Sequence, residues 1–205
     1  MTRQELTAYM ESILPADRES MDAARRRQAE LAKPPGSLGA LEDMSIRLAG
    51  ITGQVCPKMD SCRVAVFAAD NGVVDEGVSC APRSVTLQQA INMTRRRTGM
   101  SAMAAAFGDD VAVVDVGIAA DVPGVGILDR KVRRGTGNIA VEDAMTRPEA
   151  LAAMAAGMEQ AARARADSIT ALGIGEMGIG NTSTSAAVLS ALTGADIEAE
   201  FEAAK

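Results

Sequence analysis

The chain has 205 residues, of which 47% are hydrophobic, so it is long enough to bury a core and general disorder is excluded. Its net charge is −6, and its lysines and arginines are dispersed, which excludes the basic stripe typical of nucleic-acid-binding proteins. It contains no histidine, which excludes histidine-based nucleophilic triads and histidine-ligated metal sites. Any chemistry must therefore use carboxylates, hydroxyls, backbone amides, lysine or arginine.

The cysteines and the start of the chain indicate a cellular compartment. Cys56, Cys62 and Cys80 form neither an even disulfide set nor a C-x-x-C metal motif, and this usage suits a reducing cytosol. No basic segment precedes an apolar one at the amino terminus, and no apolar run is long enough to cross a bilayer. We therefore expect a cytoplasmic protein with neither a membrane nor a nucleic-acid partner.

The amino-terminal segment is predicted to be helical. Residues 4–32 favour helix, Pro15 and Asp17 divide them into two helices, and the breaker at residues 33–36 ends them. We expect a helical arm over residues 1–36. Ser37 is predicted to cap the next helix, which runs to about Gly50 and opens an α/β domain over residues 37–205.

Short apolar runs alternate with long helical stretches in the rest of the chain. The runs stop at polar or glycine-rich loops, as buried parallel strands do, and they cover residues 63–69, 111–116 and 168–174. The predicted helices cover residues 84–107 and 147–166, and a capping box at Thr146 and Glu149 opens the second. This order predicts an α/β fold with a parallel sheet covered on both faces, and ligands at the carboxyl ends of its strands.

The densest motif runs from Gly173 to Thr184, where the third predicted strand passes through glycines into a hydroxyl-rich helix. Glycines let a backbone approach a phosphate, and a helix amino terminus presents free N–H groups and a positive dipole end. Anion binding is the favoured interpretation. The alternative is a tight turn in which Asn181 or Thr182 only caps the helix.

The same segment contains G-x-G-x-x-G at Gly173, Gly175 and Gly178, the dinucleotide-binding pattern. Glu176 would place a carboxylate inside the turn that cradles a pyrophosphate. The acid about twenty residues on, Asp196, does not close an apolar strand. A nucleotide-dependent oxidoreductase is therefore the weaker interpretation.

Charged groups near the predicted strand ends have a functional and a structural interpretation. Glu176 either faces a ligand or is solvated, because burying it unpaired would be unfavourable. Residues 70–79 place three carboxylates after a strand, some of which only solvate or cap the loop. The basic residues 131–134 precede a glycine loop that either meets a phosphate or turns at the surface, and surface is favoured.

Six motifs in order resemble the nicotinate-nucleotide:dimethylbenzimidazole phosphoribosyltransferase family, and together they extend over nearly the whole chain. They are KPPGSLG at residues 33–39, AADNGV at 68–73, VT with Gln89 and NMT at 85–94, VDVGI at 114–118, RG-x-GNI at 134–139 and GEMG-x-GNT at 175–182.

The resemblance implies a Rossmann-like three-layer α/β fold with a smaller helical subdomain, packed as a homodimer. It implies that a benzimidazole nitrogen attacks the anomeric carbon of nicotinate mononucleotide with inversion, releasing nicotinate and leaving alpha-ribazole phosphate. This reaction serves assembly of the lower ligand of cobalamin. No cofactor and no metal are implied.

Site residues carried over by position fall into three groups. Gln89 and the neighbourhood of Ala81 correspond to part of the benzimidazole pocket, and Glu176 and Met177 lie beside the bound base. The nucleotide contacts are Gly178, Asn181 and Thr182. Where some members have serine this chain has Ala81, so a polar contact to the base is expected to be lost.

Members of this family continue well past Lys205, and the resemblance places their principal general base and further phosphate-binding residues in that portion. Glu176 is then a supporting catalytic residue. We expect a truncated chain, a proteolytic product or one half of a naturally split enzyme, inactive by itself. The alternative from another class is a non-catalytic nucleotide-binding partner.

Overall fold

The computed structural model describes residues 1–124 and 126–195, and these residues divide into two compact units. The first unit is Thr2–Asp60 and contains helices α1 (Arg3–Glu11), α2 (Arg18–Glu30) and α3 (Ala40–Thr52). Helices α1 and α2 confirm the two helices predicted around Pro15 and Asp17. The predicted boundary at residue 36 differs from this division, because α3 packs on α2 within the first unit.

The start of α3 corrects a prediction. Ser37 does not cap this helix, which begins three residues later after Gly39, a residue with φ of 54° and no side chain. Helices α2 and α3 pack closely at Gly50, where an added Cβ would lie 2.6 Å from the Met21 Cγ. The Gln28 amide also donates to the Ser45 hydroxyl at 2.7 Å. Glycine and serine thus allow the close approach of the two helices.

The second unit begins at Ser61 and is built on a sheet of four parallel strands in the order β3-β2-β1-β4. The strands are β1 (Cys62–Ala69), β2 (Asp110–Gly117), β3 (Ile127–Asp129) and β4 (Ala171–Met177). The predicted α/β fold with a parallel sheet is confirmed. Strand β3 was not predicted, because a three-residue strand leaves no periodic signal in the sequence.

The helices of this unit are α4 (Val85–Thr94), α5 (Gly99–Phe107), α6 (Arg147–Ala166) and α7 (Asn181–Thr193), and a 3-10 helix spans Gly72–Glu76. The predicted helix over residues 84–107 is wrong, since it is two helices. Arg96 has φ of 58°, and Thr98 begins α5 with its own capping box. The capping box predicted at Thr146 and Glu149 is confirmed.

Strand β4 is shifted along the chain from its predicted position. Ser168 has φ of 58° and donates its N–H to the Arg165 carbonyl, so it belongs to the turn that ends α6. The strand therefore starts at Ala171 and continues to Met177. As a consequence Gly173, Gly175 and Glu176 lie in the strand, whereas the sequence placed the last two in the following turn.

Burial differs along the sheet. On one face of the sheet, Ala65 of β1 and Val114 of β2 are fully buried. On the other face, a core cluster joins the sheet to α4 and consists of Ala68, Ala90, Val113 and Ile118. Ile174, which pairs with Ala65, is 81% exposed. Strand β4 pairs only with β1 among the described residues, and Ile174 lies in a groove between the sheet and α6.

A network of charges joins α6 to the end of β3, and it predicts a pH effect. Hydrogen bonds from the Arg130 guanidinium, with a contribution from Arg163, hold the pKa of the Glu159 carboxyl at about 2, below its usual value of 4.5. A lowered folded-state pKa means that the ion pair stabilises the fold above pH 4.5 and is lost as pH falls toward 2.

We expect Glu159→Gln to melt at a lower temperature than the wild type at pH 6, with the difference disappearing between about pH 5 and pH 2. Thermal melts followed by circular dichroism at each pH would measure it. Other carboxylates titrate in both proteins and cancel in the comparison. A difference that is constant with pH would contradict the assignment.

Candidate functional site

Two buried aspartates lie at the carboxyl ends of β1 and β2, and the first of them links the two ends. Asp70 is 3% exposed and accepts a 2.8 Å hydrogen bond from the Ala119 N–H after β2. Asp115 is 1% exposed and accepts from the N–H groups of Gly117 and Ile118 at 3.0 and 2.8 Å. The Lys131 ammonium lies 3.0 Å from its other oxygen. Both aspartates therefore hold loops in place.

The other two carboxylates predicted after β1 also have structural partners. Asp75 pairs with the Arg83 guanidinium at 2.8 Å, and Glu76 accepts from the Asn138 amide at 2.6 Å. These contacts agree with the interpretation that part of this loop is structural.

The basic segment after β3 is engaged by carboxylates. Lys131 pairs with Asp115, Arg133 lies 3.5 Å from Glu149, and Arg134 pairs with Asp121. Hydrogen bonding to the Arg134 guanidinium lowers the pKa of the Asp121 carboxyl. The charges of this segment are thus balanced within the protein, which favours its structural interpretation over phosphate binding.

The turn after β4 presents the amino terminus of α7. Gly180 is the cap residue, with φ of 84°, and no side chain caps the helix among the described residues. Asn181 and Thr182 occupy the first two helical positions, so neither makes the capping bond that the alternative interpretation required. The first N–H groups of a helix lack intrahelical acceptors. The Asn181 N–H is already bonded, since it donates to the Gly178 carbonyl at 3.0 Å. The N–H groups of Gly180, Thr182 and Ser183 make no hydrogen bond to a described residue, so they and the positive dipole end are available to an anion.

Residues from the loop after β1 and from α4 hold this turn. The Asn71 side-chain amide donates to the Ile179 carbonyl at 3.0 Å, and the Ile179 N–H donates to the Thr86 hydroxyl at 3.1 Å. Sequence reasoning included Asn71 and Thr86 in family motifs but assigned them no role. Contacts between residues about 100 positions apart leave no local signal.

Glu176 lies next to the turn, on the face of β4 that borders α6. Its carboxylate accepts a 2.6 Å hydrogen bond from the Asn181 amide, so the structure brings these two predicted residues together. Glu176 is exposed, and it also borders a groove of about 490 Å³ between the sheet and α6. The walls of this groove are mainly apolar and include Phe67, Leu172 and Ile174. That Glu176 faces a bound base stays a prediction.

The remaining predicted residues lie around α4 and the strand end. Gln89 is half-buried on α4, three residues after Thr86, and Met177 packs against the core cluster. Ala81 is half-buried in the loop before α4, and its N–H donates to the Ser79 hydroxyl at 3.2 Å. Gly178 is buried in the turn itself. Their roles as substrate contacts stay predictions.

Several other features bear on the chemistry. No group of histidine, cysteine, aspartate and glutamate in residues 1–124 and 126–195 could hold a metal ion. Within the same ranges, no helix has the length and apolarity needed to cross a membrane. Of the G-x-G-x-x-G glycines, Gly173 and Gly175 lie inside β4, so the pattern does not form a strand-to-helix turn. Asp196 lies outside the described residues.

A parallel sheet in which a strand leads through a glycine turn into a helix without a side-chain cap is an arrangement that α/β proteins use to bind ligands at strand ends. The phosphoribosyltransferase family model DBI_PRT matches residues 13–203. The chain belongs to this phosphoribosyltransferase family, as its motifs predicted.

Individual relatives agree with this assignment. The nicotinate-nucleotide–dimethylbenzimidazole phosphoribosyltransferase of a Geobacter species is 45% identical over 193 residues, covering 94% of this chain and 55% of that protein. The protein of the same name from Acetivibrio thermocellus is 46% identical, covering 92% and 54%. A crystal structure of the Thermus thermophilus enzyme aligns with a TM-score of 0.83 and 46% identity, covering 87% of this chain and 54% of that one. The chain spans about half the length of these relatives.

Proposed function

We propose that this chain supplies the nucleotide-binding half of a nicotinate-nucleotide:dimethylbenzimidazole phosphoribosyltransferase that acts in the cytoplasm. The observation that carries the proposal is the uncapped terminus of α7, held at the end of β4 beside Glu176 in a chain of this family. Its free N–H groups suit the phosphate of nicotinate mononucleotide. The bound nucleotide would then have its ribose and base near the strand ends.

In the proposed reaction one ring nitrogen of dimethylbenzimidazole forms a bond to the anomeric carbon of the ribose. The bond from that carbon to nicotinate breaks with its electron pair, and nicotinate leaves. The other ring nitrogen loses its proton to a carboxylate, giving alpha-ribazole 5′-phosphate for the lower ligand of cobalamin. Glu176 supports this step as a carboxylate that the Asn181 amide orients. The principal base and the homodimer of the complete enzyme are expected from the family resemblance.

A second candidate is a non-catalytic nucleotide-binding partner or one half of a split enzyme. Both candidates require nucleotide binding and differ in turnover. An NAD-dependent oxidoreductase is disfavoured by the glycines inside β4, and we expect no change in absorbance or fluorescence when NAD is added.

Replacing Asn181 and Thr182 together with alanine is expected to weaken binding of nicotinate mononucleotide about tenfold, since polar groups that converge on the phosphate are lost. An NMR titration of the chain with nicotinate mononucleotide would give the affinity and the amides that respond. Thr193→Ala is the matched control, because it removes a hydroxyl at the opposite end of α7. Equal affinity of the double variant and the wild type would contradict the proposed nucleotide site.

A further inference from the structure

Ile179 stands between two glycines, and the peptide groups on both sides of it are held by side chains from elsewhere. Its N–H, which belongs to the peptide from Gly178, donates to the Thr86 hydroxyl at 3.1 Å. Its carbonyl, which belongs to the peptide to Gly180, accepts from the Asn71 amide at 3.0 Å. Thr86 is 0% exposed, so its bond lies away from solvent. We call this pair of contacts the Ile179 clamp.

The Ile179 clamp fixes the direction of the Gly180 N–H. In a trans peptide the carbonyl and the N–H point in opposite directions. Because the Ile179 carbonyl faces Asn71, the Gly180 N–H faces away from Asn71. It makes no hydrogen bond to any described residue, so it remains available as a donor. Rotating this peptide by half a turn would replace the donor with a carbonyl oxygen, which repels an anion.

The glycines around Ile179 would allow the peptide between Ile179 and Gly180 to rotate, so the fixed direction of the Gly180 N–H requires other contacts. Gly178 and Gly180 flank Ile179 without Cβ atoms, and Gly180 has φ of 84°. At Gly178 an added Cβ would lie 2.3 Å from the Ala69 carbonyl oxygen and 2.8 Å from the Asn71 amide nitrogen. Gly178 is therefore required for Asn71 to reach the turn. The flexible turn that results is immobilised by the side chains of Asn71 and Thr86.

The orientation of the Asn71 amide is itself determined. The Ile179 carbonyl can only accept a hydrogen bond, so the Asn71 atom that faces it at 3.0 Å is the amide nitrogen. The Asn71 oxygen then lies 3.4 Å from the Thr184 hydroxyl, whose shorter contact is with the Asn181 carbonyl at 3.0 Å. Three elements thus meet at this side chain, namely the end of β1, the turn after β4 and the first turn of α7.

We infer that Asn71 and Thr86 are positioning residues for the nucleotide phosphate, an inference that rests on the proposed function. They act through the Ile179 clamp, which keeps the Gly180 N–H directed at the anion, and they act without touching the nucleotide. N–H donors that are already directed at the site need no reorganisation when an anion binds. This is the physical basis of anion sites built from backbone amides.

The test is an NMR titration of the 205-residue chain and its variants with nicotinate mononucleotide. Asn71→Ala and Thr86→Val each release one side of the clamp, and Thr86→Val keeps the volume of the side chain. We expect each to weaken binding about tenfold to a hundredfold, as for loss of one charge-assisted hydrogen bond. Thr86→Ser keeps the hydroxyl and should restore affinity to near the wild-type value. Asn138→Ala is the matched control, because this asparagine bonds Glu76 outside the turn.

Amide hydrogen exchange supplies a readout that is independent of the ligand. The Ile179 amide should exchange faster in Thr86→Val, while amides of β1 exchange at wild-type rates. Wild-type affinity in both variants overturns the positioning role and leaves the proposed function standing. Lost affinity with an unchanged Ile179 amide in Thr86→Val also overturns it, because the effect would not pass through the clamp. A wild-type chain that does not bind the nucleotide overturns the proposed function and this inference with it.

Discussion

The isolated chain is expected to form alpha-ribazole phosphate about a hundred- to ten-thousandfold more slowly than a complete relative, because loss of a positioned general base has an effect of this size. The family resemblance places that base outside this chain, and no histidine is present to replace it. Loss of further phosphate contacts acts in the same direction. The assay mixes the purified chain with nicotinate mononucleotide and dimethylbenzimidazole and follows the product by chromatography.

The Thermus thermophilus enzyme, which shares 46% identity, is the reference for this assay. Glu176→Gln in the chain is the matched control, since it removes the one predicted catalytic carboxylate while keeping the volume of the side chain. Comparable rates for the chain and the reference would show that Glu176 suffices as a base, or that the mechanism of the family does not apply. Binding with residual turnover that Glu176→Gln does not lower would favour the non-catalytic candidate.

Asp115→Ala is expected to lower the free energy of unfolding by about 3–5 kcal/mol, the usual effect of removing one partner from a buried ion pair. The aspartate is 1% exposed, and its loss leaves two buried N–H groups without an acceptor and Lys131 without its carboxylate. Urea denaturation followed by circular dichroism would measure the change.

Two further variants test the cause of this effect. Asp121→Ala breaks the ion pair with Arg134, but the Asp121 side chain is 90% exposed, so little change is expected. Combining Asp115→Asn with Lys131→Met removes both charges and keeps an acceptor for the two N–H groups. This double variant should be less destabilised than Asp115→Ala. An equal loss in Asp115→Ala and Asp121→Ala would show that burial does not control the effect.

The helices were predicted best where side chains act over a few residues. Thr146 and Glu149 form their capping box in the structure as the sequence indicates, because both partners lie in one turn of helix. The break at Arg96 was missed, since a single residue with positive φ interrupts an otherwise continuous helical composition. Ser37 was assigned as a cap because its residue type is suitable, but the chain turns again at Gly39 before α3 begins.

The sequence alone identified the position of the candidate site in the chain. The side chains that hold it were identified only in the tertiary structure. The glycines and hydroxyls of residues 173–184 identified the turn, and Glu176 was identified beside it. The partners of that turn, Asn71 and Thr86, come from elements more than 90 residues earlier in the chain. Their contacts depend on the parallel pairing of β1 with β4, which no local pattern encodes.

By itself the sequence determined the parallel α/β class and the family, because hydrophobic periodicity and ordered motifs are local properties of the chain. Only the tertiary structure decided the strand order, the burial of Asp70 and Asp115, and the direction of the peptides around Ile179. These features depend on which distant segments become neighbours. That outcome is set by packing of the whole sheet, because the partners of a buried polar group are the groups that the fold brings beside it.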